Sequence, residues 1–194
     1  KADALRRKAA ADGLAAGEKT CRALLKRYRK SPGAGILSAQ LTAAEGQVDS
    51  ARKALPDEAR AAALIGQATE ACLALGDVVA RAADYQSRVG AVMESRKAVA
   101  KLNEDKCVSA ELAQADKLLR SSAHQARGGQ FDGAVAQVRD AERVLGQARE
   151  AALLYSKAVR RGRRALAGAI KRAGPDAQSA QALRAAFDDL TEAF

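Results

Sequence analysis

From Phe131 onward, apolar or small residues recur every three and then every four positions. The series runs Phe131, Ala134, Val138, Ala141, Leu145, Ala148, Ala152, Tyr155, Val159, Gly162, Leu166, Ala169, Ala173. This alternation places one seam along one side of an α-helix. No proline interrupts it, and at about 1.5 Å per residue the helix would run roughly 60 Å. A second series, Ala61, Leu64, Ala68, Ala71, Leu75, Val78, Ala82, Tyr85, Val89, Val92 and Val99, predicts another long helix over 57–102. Arg96 stands out of character within it. Gly76-Asp77 resembles a helix stop and N-cap, but the register runs through it.

Shorter helices fill the remainder. Residues 2–30 carry Leu5, Leu14, Cys21, Leu24, Leu25 and Tyr28 on one face, are weakened by Gly13 and Gly17, and stop at Ser31-Pro32-Gly33. Residues 36–55 form a second helix with Leu37, Leu41, Ala44, Val48, Ala51 and Leu55 on one face. Pro56, with Asp57 and Glu58 behind it, suits a helix start. Asn103 to Cys107 reads as a loop. Ser109 can cap a helix through Arg127 that ends at Gly128-Gly129. Gly174-Pro175-Asp176 is a turn before a last helix at about 177–193, which carries Leu183, Phe187 and Leu190.

The unit of short helix, turn and long helix occurs at 36–102 and again at 109–172. Leu37, Ala44 and Ala51 map onto Leu112, Leu119 and Ala126 with one offset, and Tyr85 and Val89 map onto Tyr155 and Val159 with another. Degenerate internal repetition follows. The fold class is all-α: elongated tandem antiparallel bundles, in three-helix repeats of about 70–75 residues that share long continuous helices. The expected partition is 1–75, 76–149 and an incomplete third repeat over 150–194. This connectivity resembles spectrin-type repeats, in which the last helix of one repeat continues into the next. The tryptophan expected in the first helix of such repeats has no counterpart here. Gly129, Phe131, Ala134 and Ala141 resemble, once, the turn and second helix of a tetratricopeptide hairpin.

Composition changes how such bundles must pack. The apolar fraction is 48%, yet aromatics supply only 3%, so the core depends on close approach over small side chains. Alanine's helix propensity offsets part of the smaller burial. No run of about 18 uninterrupted apolar residues predicts a transmembrane helix, and a soluble chain is expected. The start at Lys1 and the end at Phe194 favour a fragment of a larger protein. Cys21, Cys72 and Cys107 are odd in number and lack zinc spacing. Disulfide scaffolding is not expected, Cys21 and Cys72 read as small core residues, and a reducing compartment is compatible.

Candidate chemistry is sparse. His124 is the one histidine, near a helix end where the dipole alone favours it. It has no nucleophile or carboxylate arranged around it in sequence. Glu104-Asp105 lacks the pattern of a calcium loop, and Asp188 and Asp189 point about 100° apart on a helix. Phosphate-cradling and metalloprotease motifs are absent. No catalytic residue, cofactor or metal is assigned.

Charge is the exception. The net charge is +10, and it is concentrated at 1–30 and at 155–172, where seven basic and no acidic residues occur. Lys157, Arg160, Arg161, Arg164 and Lys171 fall opposite the seam, with Arg163 and Arg172 flanking them. Guanidinium groups pair bidentately with phosphate, and counterion release drives such binding, but no aromatic residue interleaves for base stacking. The expectation is a non-catalytic helical scaffold, spacer or protein-interaction module whose partner is another protein, acidic in character. The alternative is a polyanion-binding module, for nucleic acid or an acidic partner, using 155–172 and with it 19–30.

Overall fold

The computed structural model describes residues 2–55, 57–103, 106–173 and 178–192. Six helices account for nearly all of them: α1 (Ala2–Tyr28), α2 (Ser38–Lys53), α3 (Glu58–Leu102), α4 (Ser109–Arg127), α5 (Phe131–Ala173) and α6 (Gln178–Glu192). The described residues are 89% helical with no strand among them, as alanine-rich 3-4 spacing with few β-branched runs dictates. Gly76-Asp77 does not break α3. The expected features at Pro56, Glu104-Asp105 and Gly174-Pro175-Asp176 lie outside the described residues, as do the side chains of Leu5, Leu183 and Leu190.

Helix ends follow local chemistry. The Asp57 carboxylate accepts the Arg60 N–H at 3.1 Å, which caps α3. At the end of α4, Gly129 takes a φ of +78°, and the Gly128, Gly129 and Gln130 amides fold back onto His124, Ala126 and Gln125 carbonyls. A left-handed residue is what closes a helix in this way. Before α4 the sequence reading shifts. Ser109 does not accept a first-turn amide; it donates to the Lys106 carbonyl at 2.9 Å and accepts from Asn103 at 3.1 Å. Asn103 braces the loop by accepting the Val108 N–H at 2.8 Å.

The chain forms two compact units. The first comprises Lys1–Gly90 with Ser121–Ala136, and the second Ala91–Arg120 with Gln137–Phe194. In the first unit, Leu25, Leu37, Leu41, Val48, Ala68 and Ala82 are buried. Gly33, in the α1–α2 connection, lies against the α3 backbone: a Cβ there would stand 2.5 Å from the Ala82 Cβ and 2.6 Å from its carbonyl carbon. Tyr85 and Phe131 meet with ring centroids 6.4 Å apart. The Tyr85 hydroxyl shares a hydrogen bond of 3.1 Å with the fully buried Ser122.

Two expectations about this unit are corrected. Ala61, Ala68 and Ala82 of the α3 seam are buried as expected, but the positions between them are displaced by one: Ile65, Cys72 and Val79 are buried, whereas Leu64, Ala71 and Val78 are only half-buried. A helix covered from two sides buries a stripe wider than one 3-4 series. The second correction concerns the cysteines. Cys21 and Cys72 are fully buried, as expected of core residues, but they are joined in a disulfide with Cα atoms 5.7 Å apart. That separation lies in the usual range for a disulfide. Spacing along the chain could not show it, because it depends on the register of α1 against α3.

By length and composition α3 would also suit a membrane span, although it has no long uninterrupted apolar run. Its buried seam is that of a bundle helix.

In the second unit, Val99, Val108, Ala115, Val138, Leu145, Ala148 and Ala152 are buried. The anomalous Arg96 is explained there: it pairs with Asp116 of α4.

Candidate functional site

Within α5 the seam behaves differently in its two halves. From Phe131 to Ala152 every seam residue is buried; Tyr155, Val159, Gly162, Leu166 and Ala169 are half-buried. Gly162 lies under the Phe187 ring of α6, where a Cβ would collide with it. This contact orients the helix and sends its opposite side to solvent.

At about 100° per residue, Lys157, Arg160, Arg161, Arg164 and Lys171 share an arc of about 100° opposite that seam. All five are exposed, as are Arg163 and Arg172. Arg172 lies at the edge of the arc, and Arg163 lies at the edge of the seam. The Arg160 Nε donates to the Ser156 carbonyl at 3.2 Å. None of the seven makes an ion pair with a described residue. No acid occurs between Ala151 and Ala173. Elsewhere in this unit Arg96 pairs with Asp116, Lys97 with Glu94 and Arg143 with Asp140. The predicted site residues therefore share one exposed face of α5 and have no ion pair with a described residue.

The N-terminal basic segment differs. Arg22 contacts Glu18 and Asp49 at 2.8 and 2.9 Å, and Arg29 contacts Glu45 at 2.5 Å. These pairs tie α1 to its own turn and to α2, so part of the 19–30 charge is internal. Arg27 and Lys30 remain outside such pairs and line an open groove of about 430 Å³ with Tyr28, Ser31, Gly76 and Val79.

The remaining candidates are dispersed. His124 is exposed on the last turn of α4. Among the described residues, no group of His, Cys, Asp and Glu could hold a metal ion. Gln125 Oε1 is buried without a hydrogen-bond partner, above Gly133.

The sequence reading passed over Leu153 and Leu154. They are 45% and 68% exposed; one turn ahead of Lys157, Leu153 falls on the basic arc and Leu154 at its edge, in line with Arg172. The signal was present: they are large apolar residues at positions off the 3-4 series. No family model, curated protein or solved structure matches this chain.

Proposed function

We propose that the chain is a non-catalytic helical scaffold that holds an anionic partner along the solvent face of α5. The observation that carries this reading is the array of Lys157, Arg160, Arg161, Arg164 and Lys171, exposed on one arc without an ion pair to a described residue and with no acid between Ala151 and Ala173. Like charges held close raise the local potential, and an anion gains by relieving it. The tandem reading proposes spectrin-like three-helix repeats bounded near 75 and 149; that long helices are shared between bundles is supported by α3 and α5 each supplying residues to both compact units. The non-catalytic part rests on the sequence, where the one histidine has no nucleophile or carboxylate patterned around it.

Binding to a short DNA duplex and to polyglutamate, titrated against salt, tests the face. On a duplex the log–log salt slope is near −0.9 per phosphate neutralised. Replacing Arg160, Arg161 and Arg164 by glutamine should reduce it by up to about three units. Exposed substitutions change stability by about half a kcal/mol or less each, so the fold should persist. Unchanged affinity and slope for both ligands would leave a merely solvated surface.

A further inference from the structure

We infer that the occupant of the α5 face is an acidic protein segment carrying a bulky apolar side chain at one end. This rests on the anion-docking reading above and specifies its partner. Leu153 stands exposed in the same arc as Lys157, Arg160, Arg161, Arg164 and Lys171, and Leu154 stands exposed at its edge. From Leu153 to Lys171 the face is about 27 Å long, apolar at its N-terminal end and cationic thereafter.

Each class of anion would use this surface differently. Phosphate backbones would engage the cations but gain nothing from two leucines, and the face has no aromatic side chain on which a base could stack. An anionic bilayer would take up the leucines. Interfacial helices, however, need an apolar face running along their length. Between Arg164 and Lys171 the residues on or beside this arc are Ala165, Ala167 and Gly168, so beyond the two leucines the face offers a membrane no large apolar side chain to insert. A protein segment meets both halves. Its apolar side chain covers Leu153 and Leu154 as a small anchor, and its carboxylates accept hydrogen bonds from the guanidinium groups. Anchors of this kind dominate interface energetics when ringed by polar contacts.

The test uses four fluorescent or sedimentable ligands: two 20-residue peptides with a Phe-Leu pair at the N- or the C-terminus of a glutamate-rich helix, a 20-base-pair duplex, and vesicles with 30% phosphatidylserine. At physiological salt one of the peptides should bind more tightly than the duplex or the vesicles. Leu153→Ser with Leu154→Ser should weaken that peptide by about tenfold or more, the factor that burial of a leucine implies, and leave duplex affinity unchanged. Circular dichroism checks that the variant folds. The inference is overturned if neither peptide binds, if the serine variant holds the peptide as well as the parent does, or if duplex or vesicles bind best. In those cases the arginine-to-glutamine triple variant separates the two claims. Weakened duplex or vesicle binding keeps the basic face and discards the protein partner, whereas no effect on any ligand discards both.

Discussion

Arg96 of α3 and Asp116 of α4 face each other through two hydrogen bonds, Nε to Oδ1 at 2.5 Å and Nη2 to Oδ2 at 2.7 Å. A planar guanidinium donating twice to one carboxylate fixes the relative rotation of the two helices as well as their distance. The hydrogen bond from Arg96 holds the Asp116 carboxyl below the usual carboxylate range, against partial burial, with the charges of Arg96 and Arg120 adding to the effect. Both side chains are about one-third exposed, so water screens the pair.

Asp116→Asn should therefore cost about 1 kcal/mol at neutral pH, well short of the roughly 3–5 kcal/mol of a fully buried pair. Folded Asp116 holds its proton less tightly than the unfolded carboxyl. Its contribution is complete above the unfolded value of about 3.9 and is lost as pH falls through the lower folded value. Urea denaturation of parent and variant from pH 7 to pH 2 should show two curves converging at the acid end. A constant gap down to pH 2 would contradict this account.

The disulfide between Cys21 and Cys72 closes a loop of 51 residues in sequence separation. In the chain-entropy account a loop of that size contributes about 4 kcal/mol by restricting the unfolded chain. A peptide map without reductant should recover the Cys21 and Cys72 peptides as one cross-linked species. Cys72→Ser should lower the thermal midpoint of oxidised protein, and reductant should lower the parent's midpoint without affecting the variant's. Separate peptides in the map would refute the bond.

Gly33→Ala should destabilise the first unit by about 1–3 kcal/mol, because the new methyl group meets α3 main chain that cannot rotate away. Gly35 is the control. Nothing lies within 4 Å of a Cβ there, so Gly35→Ala should be neutral or stabilising by up to about 1 kcal/mol through the unfolded chain. Equal effects at the two positions, read by chemical denaturation, would show that the connection does not pack as described.

Gly162→Leu should loosen α6 from α5, since the added side chain occupies the place of the Phe187 ring. Hydrogen exchange over 178–192 should quicken. Phe187→Ala in the same chain should restore part of the protection by vacating the space. If the double variant exchanges no more slowly than Gly162→Leu alone, the steric account fails.

The helices themselves were legible in the chain. Their ends at Tyr28, Arg127 and Phe131 follow from Ser31-Pro32-Gly33, Gly128-Gly129 and the onset of the 3-4 series, since propensity, capping and periodicity act within a few residues. The basic arc was equally legible, because positions on one helix face depend only on spacing along that helix. What lay beyond reach was register between helices. Cys21 against Cys72, Arg96 against Asp116 and Gly162 under Phe187 are each set by how one rod slides and rotates on another. Several registers satisfy the same apolar pattern in a core made largely of alanine, and only packing in three dimensions selects among them. The exposure of Leu153 and Leu154 was also decided there: their place off the seam was written in the spacing, but that no neighbouring helix covers them is a property of the folded chain.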